Sequence, residues 1–116
     1  MAGLLKKTTG LTGLAVAKDP HKSLVILYDK LLAVLQKMPA SAGYRQKTQI
    51  IIQDRLAAVH SEPNIAKLEA KINGGMAEEL IVQAEKELTL ARKMLEWKPW
   101  EGPVKEPPHN QWKWPI

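Results

Sequence analysis

Apolar residues recur every three or four positions in several stretches of this chain, and the longest such stretch covers residues 76–97. That spacing places them on one side of an α-helix. Acidic residues lie towards its start and basic residues towards its end, as the helix dipole favours. A face this broad needs at least two other elements to cover it. The predicted inner stripe is Leu80, Ala84, Leu88, Ala91 and Leu95, with Ile81 and Val82 beside it.

A second predicted helix begins at Asp19-Pro20, because a carboxylate suits the N-cap and proline suits the first helical position. It should run to about Met38, where Pro39 stops it. Apolar residues also lie off its main stripe, so we expect more than one neighbour to cover it. Its predicted inner residues are Leu24, Leu27, Leu31, Leu35 and Met38, flanked by Tyr28 and Val34, with Val25, Ile26 and Leu32 off the stripe.

The segment from about Ala42 to His60 has the same periodicity, with Ser41 as the expected cap. Its β-branched run, residues 50–52, could be a strand if read alone, but the flanking periodicity favours a helix. The predicted inner stripe is Tyr44, Thr48, Ile52, Leu56 and Val59.

A short helix should start at Ser61-Glu62-Pro63 and end at Asn73-Gly74-Gly75, where a glycine would adopt the left-handed conformation. Its inward residues should be Ile65, Leu68 and Ile72. The sequence therefore predicts an all-α fold, a three-helix bundle with one additional short helix.

Both ends of the chain fall outside this predicted bundle, which divides the chain into an N-terminal arm (1–18), a helical bundle (19–98) and an extended C-terminal tail (99–116). The arm is basic, has no acid and loosely resembles a mitochondrial import signal, although it lacks arginine. We expect it to be retained; its other interpretation is a flexible arm that docks on a neighbour.

The tail contains five of the eight prolines, which rule out a helix. Burial of Trp112 and Trp114 would contribute on the order of 10 kcal/mol at most. Ordering each tail residue costs roughly 1–2 kcal/mol, so burial of these two side chains does not exceed the ordering cost. The tail must therefore pack on its own bundle or lie in a groove of another molecule.

Candidate chemistry is sparse. The absence of cysteine excludes disulfides, thiolate metal sites and a cysteine nucleophile. His21, His60 and His109 lack metal-ligand spacing, and no phosphate-binding loop occurs. We interpret four of the five glutamates of the last helix as a solvated acidic face rather than as catalytic pairs: Glu78, Glu79, Glu85 and Glu87. The sequence thus predicts no catalytic, cofactor-binding or metal-binding residue.

The net charge of +5 is unevenly distributed, since residues 1–60 contain nine lysines and arginines against three acids. A basic half suggests an anionic partner or simply a solvated surface. The second helix could enter a nucleic-acid major groove, which makes a small nucleic-acid-binding module the alternative function. A polar outer face is the favoured interpretation of its side chains: Arg45, Gln46, Lys47, Gln49, Gln53 and Arg55.

Four stretches resemble the alpha-subcomplex subunit 5 family of mitochondrial respiratory complex I. They are MAGLLKKTTGLTGLAV at the start, VILYDKLL in the first helix, ELTLARKMLEWKPWE in the last helix and EPPHNQWKWPI at the end. Together they extend the resemblance across nearly the whole length of the chain, and QWKWPI is its most specific part.

The resemblance implies an accessory subunit without cofactor or catalytic residue, in a complex that transfers electrons from NADH to ubiquinone. It implies a position on the hydrophilic arm near the quinone module, peripheral to the inner membrane on its matrix side. The implied role is support of assembly and stability, and the implied partners are other subunits of that arm, not nucleic acid. We expect partner contacts at Lys6, Lys7, Trp97, Trp100, Trp112 and Trp114.

Overall fold

The computed structural model describes residues 7–114, a range that contains four α-helices and no strand. The helices are α1 (Pro20–Gln36), α2 (Gly43–Ser61), α3 (Ile65–Ile72) and α4 (Ala77–Trp97). The predicted all-α class is confirmed. Helices α1, α2 and α4 each begin within one residue of the predicted start, and the β-branched run at 50–52 lies inside α2.

Helix α1 is the centre of the packing, because α2 and α4 both pack against it while α3 contacts α2 and α4. Its leucines Leu24, Leu31 and Leu35 are fully buried. Of its residues off the main stripe, Val25 packs against the core, whereas Ile26 is 44% exposed. The expectation that α1 is covered on more than one side is therefore confirmed, with Ile26 left uncovered.

Helix α4 turns its predicted stripe inward. Leu80, Ala84, Leu88 and Ala91 are buried, and Leu95 is half-buried against the same core. Small alanines between larger leucines let two helices approach closely, because interaxial distance depends on the side chains at the contact. The spacing of apolar residues thus identified the buried face of the longest helix correctly.

The start of α1 agrees with the sequence, whereas the start of α2 does not. The Asp19 side chain accepts a hydrogen bond from the backbone N–H of Lys22 (3.2 Å). The prediction of Ser41 as a cap is wrong, since Ala42 occupies that position without a side-chain bond. The turn before α2 is stabilised instead by Arg45, whose guanidinium donates to the carbonyl of Met38 (2.6 Å).

Helix α3 ends at Asn73, within the predicted Asn73-Gly74-Gly75 stretch, but its start and its left-handed residue differ from the prediction. Helix α2 continues through Ser61, so the predicted start of α3 was too early. Asn64 caps α3, because its side chain accepts a hydrogen bond from the backbone N–H of Lys67 (3.1 Å). Its left-handed C-terminal residue is Asn73, with φ at 55°, and not a glycine. Asparagine is the side chain that tolerates this conformation best, so it can replace glycine there.

The start of α4 is capped from another helix. Met76 provides no side-chain bond, and the Glu69 carboxylate of α3 accepts from the N–H of Ala77 (2.6 Å). Glu78 is only 3% exposed, which corrects our interpretation of it as part of a solvated face. Its position explains the difference, because free N–H groups in the first turn of a helix favour a carboxylate.

The two tyrosines of the chain lie at the junction of α1, α2 and α4. The Tyr44 hydroxyl donates to Oε1 of Glu87, and burial together with this carboxylate raises the pKa of Tyr44. Tyr28 is 1% exposed, and its hydroxyl has no hydrogen-bond partner within residues 7–114. Burial raises the pKa of Tyr28, and the nearby Arg55 guanidinium opposes that rise in part.

We predict that Leu88→Ala lowers the free energy of unfolding by about 2–5 kcal/mol, because it removes buried methyl groups and leaves a cavity. Leu90→Ala, on the same helix at a position that is 41% exposed, is the matched control and should stay within about 0.5 kcal/mol of wild type. Thermal and urea unfolding followed by circular dichroism measures both. Equal losses in the two variants would contradict the assigned buried face.

We predict that neither tyrosine ionises near its ordinary pKa of about 10 in the native protein, because burial raises both pKa values. Ultraviolet absorbance of tyrosinate during a pH titration measures this, with the urea-unfolded chain as control. In the unfolded chain both hydroxyl groups should titrate with a pKa of about 10. Since the unfolded state loses these protons first, stability is complete below that pH and falls as the pH rises above it. A native titration step near the ordinary pKa would contradict the burial of the corresponding hydroxyl.

Candidate partner-binding surface

The C-terminal segment presents two large aromatic side chains to solvent. Trp112 is 87% exposed and Trp114 is 86% exposed. Two successive turns hold the backbone around these tryptophans. Their hydrogen bonds run from Gln111 N–H to Pro108 O and from Lys113 N–H to Asn110 O. Residues 98–114 contain neither helix nor strand, but these turns make the segment less extended than we expected.

The other two tryptophans lie on either side of the end of α4. Trp97 is 63% exposed. Trp100 is half-buried and packs against the core beside Tyr44 and Met94. The chain reaches this position because Lys98 adopts a left-handed conformation, and a turn from Glu101 N–H to Lys98 O follows. Trp100 therefore fixes the beginning of the tail on the helices.

The predicted lysine contacts fall on the N-terminal arm. Lys7 is exposed, and Lys6 lies outside the residues that the structure describes. Further along the arm, the Thr9 hydroxyl donates to the carbonyl of Leu14 (2.6 Å), which closes a local turn without a helix. Among residues 7–114, no described hydrogen bond joins Lys7 to a tryptophan.

The sequence interpretation missed an apolar cleft between α2 and α4. Its edges include Ile51, which is 52% exposed, and Leu90, which is 41% exposed. We expected the outer face of α2 to be polar, yet Ile50 is also 58% exposed. A signal was available, because consecutive residues of a helix point about 100° apart. Only one of the three isoleucines at 50–52 can point into a single core.

The basic side chains of α2 are partly engaged by the fold itself. Arg45 bonds the carbonyl of Met38, and the Gln46 amide donates to the carbonyl of Ala40 (3.0 Å). Side chains held against the loop before α2 are unavailable for reading bases in a groove. This geometry favours an amphipathic helix over the nucleic-acid-binding alternative.

His21 and His60 line the same surface cleft, and His21 also makes a structural contact. Nε2 of His21 lies 2.7 Å from the carbonyl oxygen of Glu62, which links the start of α1 to the end of α2. His60 and His109 are exposed. Residues 7–114 contain no group of three or more His, Asp or Glu side chains that could hold a metal ion.

None of the helices described between residues 7 and 114 has both the length and the apolar character needed to cross a bilayer.

Comparison with known proteins assigns this architecture to a family. Residues 13–79 match the model of the family described as the electron transport chain (ETC) complex I subunit conserved region. The chain is 61% identical to the NADH dehydrogenase [ubiquinone] 1 alpha subcomplex subunit 5 of Mus musculus, over the full length of both. It is 59% identical to the Bos taurus protein of the same name, also over the full length of both.

The similarity to a more distant relative also extends over most of this chain. The probable alpha subcomplex subunit 5 of Caenorhabditis elegans is 45% identical over 96% of this chain and 74% of its own length. The family model ends at residue 79, whereas the full-length matches include α4 and the tryptophan-containing tail. A protein of this family is one subunit of a larger enzyme complex and not the enzyme itself. The chain therefore belongs to the alpha-subcomplex subunit 5 family of respiratory complex I.

Proposed function

We propose that this chain is a non-catalytic accessory subunit that supports the assembly and stability of mitochondrial complex I. The observation that carries the proposal is the full-length match to proteins named as a subunit of NADH dehydrogenase. The exposed tryptophans support it further, because tryptophan is enriched among the residues that dominate protein interfaces.

The proposed location is the hydrophilic arm, peripheral to the inner membrane on its matrix side, near the quinone module. This part of the proposal rests on the family resemblance. The proposed working unit is a three-helix bundle of α1, α2 and α4 with the short α3, since α1 packs against both longer helices. The tail and the basic arm, including Lys6 and Lys7, would then extend from the bundle towards neighbouring subunits.

We predict that cells lacking their own alpha subcomplex subunit 5 regain assembled complex I when they express this chain. Native gels with in-gel NADH dehydrogenase staining measure the complex, and an epitope tag shows whether the chain migrates with it. Cells carrying the empty vector are the control. Two results would contradict the proposed function. In one, the complex recovers but does not contain the tagged chain; in the other, the chain is stable but unassembled and the complex does not recover.

The tail is the strongest candidate for a partner contact because its aromatic area is almost entirely unused by the fold. Each tryptophan side chain can bury about 150–250 Å². Since Trp112 and Trp114 remain more than four-fifths exposed, most of that area is available to a neighbour. The half-buried Trp100 differs, because its ring contributes to the core beside Tyr44.

We predict that replacing Trp112 and Trp114 together by alanine leaves the stability of the isolated chain within about 0.5 kcal/mol of wild type but reduces its incorporation into complex I. Circular dichroism and native-gel incorporation measure the two effects. Val104→Ala, at another exposed tail position, is the matched control and should incorporate normally. Trp100→Ala should lower the melting temperature. If the isolated double variant unfolds, the tail belongs to the core. If the double variant is incorporated normally, the two tryptophans do not have the proposed role in partner contact.

A further inference from the structure

The cleft between α2 and α4 has a volume of about 450 Å³. Tyr28 of α1 lines it from the core side, and Ile51 and Leu90 line it at positions open to solvent. Exposed apolar side chains at the edges of a concave site are typical of a surface that another molecule covers. Residues of α1, α2 and α4 line the cleft, whereas Trp112 and Trp114 lie in the tail, outside the helices.

The cleft is cationic as well as apolar. Arg55 and Lys86 line it, and neither has a carboxylate within salt-bridge distance among residues 7–114. The carboxylate in its lining, Glu87, already accepts the hydroxyl hydrogen of Tyr44. The hydrogen bond described for the Arg55 side chain within residues 7–114 is a long contact of 3.4 Å from Nη1 to Oε1 of Gln83. A guanidinium held this loosely is available to an incoming acceptor.

The buried Tyr28 hydroxyl adds a second, independent requirement for an acceptor. It has almost no contact with solvent, has no hydrogen-bond partner in the described chain, and lies beside the Arg55 guanidinium. A buried donor without a partner destabilises a fold, and most such groups in proteins are paired. The Arg55 guanidinium therefore lies at the cleft next to a hydroxyl that satisfies no hydrogen-bond geometry within residues 7–114.

We propose that this cleft docks a segment of a neighbouring protein subunit that presents an acidic side chain next to an aliphatic one. The carboxylate would bind Arg55, with Lys86 adding positive potential, and the aliphatic side chain would fill the space between Ile51 and Leu90. The inference rests on the proposed function, since it needs a neighbour in an assembly. A small anion alone fits less well, because it would leave both apolar edges exposed.

The shape of α2 gives such a segment a further contact. Ile51 and Arg55 also line a second cleft, on the side of α3, together with Ile72 and Lys71. These two residues therefore form a ridge with a depression on each side. A partner that contacts both sides of the ridge buries more apolar area than a ligand in one cleft, and arginine is a residue type enriched among interface hot spots.

The first experiment reverses the charge at the centre of the cleft. Arg55→Glu is expressed in cells that lack their own subunit, and its incorporation into complex I is compared with that of Lys47→Glu. Lys47 is exposed on the same helix and outside the cleft, so the change of net charge is identical. Arg55→Glu should reduce incorporation at limiting expression by about tenfold or more, and Lys47→Glu by less than about twofold.

The second experiment identifies the occupant and stays decisive if Arg55→Glu folds poorly. A photoreactive amino acid replaces Ile51, or Gln53 as the exposed control, in the assembled complex. Mass spectrometry should find the Ile51 position cross-linked to a peptide of another subunit with Asp or Glu beside an aliphatic residue. Reversing that acid to arginine should then restore incorporation of Arg55→Glu.

Several results would overturn the docking proposal. They are cross-links only to this chain or to a second copy of it, no protein adduct at all, or equal incorporation of the two charge variants. These results differ from a failure of the proposed function, in which the wild-type chain itself would be absent from complex I. If the wild type is incorporated and Arg55→Glu is incorporated equally well, only the docking site is wrong.

Discussion

The burial of α1 between α2 and α4 is the constraint on which the rest of this fold depends. Isolated helices near the 17-residue length of α1 are marginal in water, and most helical stability in proteins comes from tertiary packing. Leu24, Leu31 and Leu35 are fully buried only because two other helices cover them. The apolar stripes of α2 and α4 are buried by the same contacts, so the three helices stabilise one another.

This arrangement leaves an open seam, because α2 and α4 pack against α1 rather than against each other. Long polar side chains connect them across the seam: Tyr44 donates to Glu87, and Arg55 contacts Gln83. Hydrogen bonds of this kind fix the distance between helices but bury little apolar area. The seam therefore keeps a cleft open to solvent, with the exposed isoleucine Ile51 at its edge.

Local pattern was sufficient for the helices, and the parts it missed depend on tertiary contacts. The period of apolar residues identified α1, α2 and α4 and the buried face of each, because burial of one stripe is a property of one helix. The cap of α4 comes from Glu69 on α3, which no local rule could show. Proline density identified a tail without helix, whereas the cleft required the relative positions of two helices that are distant in sequence.

The distribution of aromatic residues separates those that pack in the core from those that the fold leaves exposed. The chain has no phenylalanine, and its core is built from leucine, other aliphatic residues and Tyr28. Trp97, Trp112 and Trp114 are all more than half exposed, so they contribute little to the packing of α1. Trp100 is the exception, because it packs on the core and fixes where the tail leaves the helices. Under the proposed function, a change in the outer tryptophans would therefore alter assembly with the fold intact, while a change in the buried leucines would act on both.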